Sequence, residues 1–131
     1  MIRLNAETEY AVMMLKQFES QNLLTLDSIC KTLGMAKPYN YKILSMLVKA
    51  GLVEGNRGAR GGYRLRKPLS EISYLDVYMA TKPAGEDYRC NNKYCNKCHN
   101  EEVYKPECTL HKMLQSVQNA LYTQLANASI S

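Results

Sequence analysis

The stretch from Pro38 to Arg66, PYNYKILSMLVKAGLVEGNRGARGGYRLR, decides how this chain folds. Its first half is helical in pattern. Ile43, Leu44, Leu47 and Val48 recur at helical spacing, which predicts an amphipathic helix with those four residues buried. Pro38 suits the first helical position, where its missing N–H costs nothing. Gly51 ends the helix, with Lys49 in the last turn. The second half changes period. LVEG and YRLR read as short strands, and NRGARGG between them reads as a hairpin tip rich in glycine and arginine. From Arg57 to Lys67 the chain holds Arg57, Arg60, Arg64, Arg66 and Lys67 and no acid. A charge run usually ends as a solvated face, but this one sits on a hairpin directly behind a helix.

Upstream, residues 6 to about 19 predict a helix with Tyr10, Met13, Met14 and Phe18 on one face. QNLLT breaks it. Thr25 then caps a short helix, LDSICKTL, with Asp27 in its first turn and Gly34 as its stop. Cys30 lies within this helix beside Ile29, which predicts a small buried residue rather than a ligand. Two helices joined by a tight turn give a helix-turn-helix, and the basic hairpin behind it makes a wing. A helix of this kind enters the major groove of DNA while the wing reaches phosphates or the adjacent minor groove.

Downstream, Ser73 and Asp76 have the spacing of a capping box that opens YLDVYMAT as a further helix. KPAGED breaks it. From Thr109 a last helix carries Leu110, Leu114, Val117, Leu121 and Leu125 along a coiled-coil-like seam. Such a seam fits a homodimer, and helix-turn-helix proteins commonly pair to read two half-sites. The fold class expected is mainly α with a small β-hairpin wing. A winged helix-turn-helix region (1–83), a cysteine-rich loop (84–108) and a dimerisation helix (109–131) follow in that order.

With 131 residues the chain fits one domain that folds without staples. A net charge of +5 is a mild excess that hints at an anionic partner. No run nears the roughly 18 apolar residues of a membrane helix, and the polar start MIRLNAETEY is no signal peptide. A cytoplasmic location is expected, with no membrane partner. Thiols stay reduced there, so clustered cysteines point to metal or redox chemistry rather than disulfides. No nucleophile–base pair, phosphate loop or paired carboxylates stand at usable spacing, so neither an enzyme nor a small-molecule substrate is expected.

The cluster in question is CNNKYCNKCHNEEVYKPECTLH, residues 90–111. Cys90, Cys95, Cys98 and Cys108 are separated by four, two and nine residues. Thiolates at such positions hold an iron–sulfur cluster or, through the Cys95-x-x-Cys98 pair, a tetrahedral zinc ion. As free thiols they sense oxidants by forming disulfides.

IRLNAETEYAV, AGLVEGNRGARGGYRLRKP, ISYLDVYMAT and the Cys-Thr-Leu that opens the last helix carry a resemblance over nearly the whole chain. The sequence resembles the bacterial winged-helix regulators typified by the iron–sulfur cluster regulator IscR, the nitric oxide sensor NsrR and the cysteine regulator CymR. The family's wing reads RG-x-GGGY; here Arg60 replaces one glycine. The resemblance implies a homodimeric transcription factor, most simply a repressor, on a roughly palindromic double-stranded operator. It implies DNA contacts from Lys37, Pro38, Tyr39, Tyr41 and Lys42, with Arg57 in the minor groove and Arg60 adding phosphate contact. Tyr41 stands where the cluster regulator carries a base-sensing glutamate. The resemblance also implies a 2Fe–2S or 4Fe–4S cluster; the cysteine spacing leaves zinc as the alternative, in a zinc-stabilised or thiol-based winged-helix regulator or interaction module without a cluster. Cys90 and Cys108 match the outer ligand positions, and the middle ligand is Cys95 or Cys98. Glu9, from the partner subunit, or His111 completes the set. Gain or loss of that centre is expected to switch operator binding.

Overall fold

The computed structural model describes residues 4–58, 61–83 and 108–131. They fall into two compact units, Met1–Lys82 with Leu125–Ser131, and Pro83–Gln124. The expected fold class is met: five α-helices and one two-stranded hairpin among the described residues.

In the first unit α1 spans Ala6–Lys16 and runs on as a 3₁₀ turn, Gln17–Glu19. Asn5 caps it, its side-chain oxygen accepting from the Thr8 N–H at 2.7 Å. The buried stripe is Ala11, Met14, Leu15 and Phe18. Met13, expected on that face, is 52% exposed. Ala11, Met14, Leu15 and Phe18 follow the i, i+3, i+4, i+7 rule, and Met13 falls outside their arc.

Helix α2 (Leu26–Leu33) opens on a reciprocal cap between Thr25 and Ser28 and closes at Gly34, whose φ of 75° suits glycine. Cys30 is half-buried rather than buried. It faces the turn into the next helix, where the Asn40 amide lies 3.4 Å from its sulfur. Helix α3 (Lys37–Lys49) starts one residue earlier than expected, so Pro38 is its second residue. Asn40, Ile43, Leu44 and Leu47 are buried. Val48, expected among them, is 39% exposed, and the buried Asn40 takes its place on the inward arc.

Strands β1 (Val53–Asn56) and β2 (Gly62–Leu65) pair antiparallel, Val53 opposite Leu65 and Asn56 opposite Gly62. Leu24 adds a third rung, because its N–H and C=O both bond Tyr63, at 2.9 and 2.6 Å. The sequence QNLLT predicts only a break there. Gly62 is required there: a Cβ would meet the Leu24 carbonyl oxygen at 2.9 Å.

Helix α4 (Tyr74–Thr81) carries the expected capping box between Ser73 and Asp76. It packs on α1 and α3, and the Thr8 and Thr81 hydroxyls meet at 2.6 Å in the interior. Helix α5 (Thr109–Asn127) begins where the sequence predicts and ends in the first unit. The tail beyond it then pairs with residues ahead of α4. Tyr74 N–H donates to Ala128, Ile130 N–H donates to Ile72, and Ile130 is fully buried. No helix among the described residues is long and apolar enough to cross a membrane.

Candidate nucleic-acid interface

Helix α3 and the hairpin, the two elements expected to read DNA, are held by side chains whose partners define their geometry. Asn40 is fully buried at the turn between α2 and α3. Its amide nitrogen donates to the Met35 carbonyl at 2.8 Å and lies 3.2 Å from that of Ala36. Its oxygen accepts from the Tyr10 hydroxyl at 2.6 Å. One side chain thus fixes the turn to α1 and sets where α3 begins. Burial raises the Tyr10 pKa above its ordinary 10.0, against the lowering effect of the Asn40 hydrogen bond. The phenol stays protonated and keeps donating.

Of the expected DNA-contacting residues, Tyr41 is 57% exposed and Lys37, Pro38 and Lys42 are exposed. Tyr39 is half-buried, edge-on to the Tyr10 ring at 5.1 Å and 69°. Burial, helped by Glu7, raises its pKa too. Lys37 lies 3.2 Å from Asp27 and Lys42 3.9 Å from Glu7, both at the surface. Exposed pairs of this kind are worth about 0–1 kcal/mol, so phosphate competes with them.

The hairpin is braced from within. Arg64 sits 3.7 Å from Glu54 and, with the Asn56 amide oxygen turned toward it, 2.9 Å from Asn56. Lys67 sits 3.6 Å from Asp76. Arg57 is exposed at the tip, whereas Arg60 lies outside the described residues. Between α3 and the hairpin runs an open groove of about 450 Å³ lined by Tyr41, Ser45, Val48, Asn56, Arg57 and Tyr63. Tyr63 lies over Gly55, and burial, with Tyr41 nearby, raises its pKa. Ser45, Val48, Asn56 and Tyr63 were not foreseen as part of this surface. Ser45 was legible, since it follows Tyr41 by one helical turn.

Residues 4–131 match the family Rrf2, described as "Iron-dependent Transcriptional regulator". The chain belongs to the Rrf2 family. The chain is similar to the protein aau3 of Rhizobium meliloti, 32% identical over 131 residues that cover 98% of this chain and 82% of the relative. It is also similar to YffB of Lactococcus lactis, named for the HTH-type transcriptional regulators, 25% identical over 95% of this chain and 80% of the relative. Among solved structures, T. potens IscR superposes with a TM-score of 0.70 at 20% identity, covering 98% of this chain and 83% of that one. CymR of B. subtilis gives 0.70 at 20%, covering 99% and 94%. These likenesses show the winged-helix fold, and Rrf2 membership makes the chain a DNA-binding transcriptional regulator.

The expected ligands of this Rrf2 chain are only partly described. Cys90, Cys95 and Cys98 lie outside the described residues. Cys108 is half-buried just ahead of α5, its carbonyl accepting from Lys112 N–H at 3.1 Å. His111 is half-buried three residues on, one helical turn away. Glu9 is exposed in the first turn of α1. A thiol and an imidazole are donor types that iron–sulfur clusters and zinc accept, but among the described residues no group of three or more such side chains stands together.

Proposed function

We propose that this chain is a homodimeric regulator, acting as a repressor in the cytoplasm, that grips a two-fold operator with α3 in the major groove and the wing on the flanking backbone, Arg57 reaching into the adjacent minor groove. The observation that carries this reading is the exposed face of α3, with lysines at its edges, set beside exposed Arg57 across an open groove. The homodimer is supported by α5. It buries none of its residues among the described ones and leaves Leu110, Met113 and Val117 exposed. An apolar stripe of that length calls for a cover, and a second copy of the same helix supplies it.

Operator binding is switched through the cysteine segment. Cys90, Cys108 and one of Cys95 and Cys98 would hold an iron–sulfur cluster, with Glu9 of the partner or His111 as a further ligand. A bound cluster supplies bonds that tie the segment to the start of α5. This chain's own part is to present Cys108 where that helix begins, so ligation and helix position are linked. The test is operator binding by cluster-loaded and metal-free protein at the same salt. Equal affinities refute the switch. Iron, sulfide and zinc counts on anaerobically purified protein accompany it, because stoichiometric zinc without iron would replace the cluster.

A thiol-based switch is the second reading. It is favoured by the fold shared with the B. subtilis CymR, called a global cysteine regulator, and with S. aureus CymR, solved in an oxidized form. In that case the four cysteines cross-link under oxidant, and operator affinity responds to diamide in metal-free protein.

A further inference from the structure

The side-chain chemistry of α3 narrows how it reads bases. The helix contains no Arg, Gln, Asp or Glu, and its one carboxamide, Asn40, is buried and bonded to the turn. Arg on guanine and Asn or Gln on adenine, pairs that commonly specify bases, are therefore unavailable to α3, and lysine is the one bidentate partner for guanine left to it. At about 100° per residue, Tyr41 and Ser45 occupy the middle of the exposed arc and Val48 adjoins Tyr41. Lys37 closes one edge of the arc, and Lys42 and Lys49 the other. The centre of the reading face is thus an aromatic ring, a hydroxyl and a branched alkyl group. Its cations stand at the margins, where phosphates pass.

Both apolar groups are held outward. Tyr41 is 57% exposed on a rigid helix whose opposite face is packed into the core. Val48 is exposed although it ends a run of buried aliphatics, and it lines the groove together with Tyr41. The Ser45 hydroxyl donates to the Tyr41 carbonyl at 2.8 Å, which leaves its oxygen to accept. Exposed apolar side chains on a DNA-facing helix have one apolar feature to meet in the major groove, the C5-methyl of thymine.

Resting on the proposed operator-binding role, we infer that this chain specifies its half-site through thymine methyl groups. Tyr41 is the principal reading residue, with Val48 two turns along the same face, in place of Arg, Asn or Gln contacts from α3. Lys37, Lys42 and Lys49 set the depth of the helix on the backbone and carry no sequence information.

The test uses the full-length chain. Operator half-sites are selected from random duplexes. Each thymine of the selected site is then replaced by deoxyuridine, which removes the methyl and leaves every hydrogen-bonding group in place. The inference expects a fixed thymine in each half-site. Its uridine form should weaken binding about fourfold per methyl, from the burial of one methyl-sized group, or about fifteenfold when both half-sites change. Tyr41→Ala should lose this discrimination, and Tyr41→Phe, which keeps the ring, should retain it. Unchanged affinity of the wild-type chain at every uridine position overturns the inference, whatever the variants do, and leaves the regulator reading standing. Sequence-independent binding to all selected duplexes overturns both.

Discussion

Replacing Asn40 by alanine tests the architecture most directly, because this one buried amide joins three elements. The substitution removes the donor to the Met35 carbonyl and the acceptor for the Tyr10 hydroxyl, bonds of 2.8 and 2.6 Å. The Ala36 carbonyl keeps its backbone donors, the N–H groups of Tyr39 and Asn40, both at 3.1 Å. Two part-buried groups, the Tyr10 hydroxyl and the Met35 carbonyl, then lose this partner. At about 1–1.5 kcal/mol each, the loss comes to about 2–3 kcal/mol. Against a domain stability of about 5–15 kcal/mol this is a large fraction. It should lower the melting temperature by roughly 6–15 °C for a chain of this size. Urea titration followed by circular dichroism reads the change. Tyr10→Phe alone should cost about 1 kcal/mol, and Asn40→Ala should cost about 1 kcal/mol less in that background, since the Tyr10 bond is already gone. Additive losses, or an Asn40→Ala variant within about 0.5 kcal/mol of wild type, would show that the amide does not organise the turn.

Four further outcomes are expected. Gly62→Ala drives a Cβ to 2.9 Å from the Leu24 carbonyl oxygen; it should cost about 1–3 kcal/mol in thermal unfolding, and a neutral result would mean the Leu24–Tyr63 rung is not held. Ile130→Ala empties a fully buried site next to Ile72. Its expected cost is about 2–5 kcal/mol by urea unfolding, and a loss under about 0.5 kcal/mol would show the tail undocked. Alkaline pH should destabilise the fold, because burial sets the folded pKa of Tyr10, Tyr39 and Tyr63 above the unfolded 10.0. Their contribution is full below about pH 10 and is lost as pH climbs through the folded values; a urea midpoint that rises there contradicts the assignment. Arg57→Ala should weaken operator binding and lower the slope of log K against log salt by about 1; an unchanged slope would take Arg57 off the DNA.

Much of the fold was legible in the order of residues, and the reason differs between elements. The caps at Thr25 and Ser73 and the stop at Gly34 are local events, settled within four residues, and each forms as read. The hairpin was legible within one residue at each strand, since a glycine-rich tip between two short strands has few other outcomes. Burial was read less well. Met13 and Val48 are as apolar as their buried neighbours, and only the position of α4 and the hairpin decides which side of each helix faces water. Likewise Cys30 is half-buried because the α2–α3 turn, which its own helix cannot specify, passes beside it.

For the site, sequence by itself determined the chemistry available: a lysine-edged helix without arginine, a basic glycine-rich wing, and four thiols between 90 and 108. Rrf2 membership follows from that order of residues alone. Tertiary structure decided how the chemistry is spent. It withdraws Asn40 from the exposed face of α3 into the turn, braces Arg64 on Glu54 and Asn56, and turns Tyr39 onto Tyr10. It brings Tyr63 and Asn56 of the hairpin beside Tyr41 and Ser45 of the helix, and it returns Ile130 to the core. These pairings join residues far apart along the chain. They depend on loop closure and packing that no local pattern encodes, whereas a cap or a turn is complete within a few neighbouring residues.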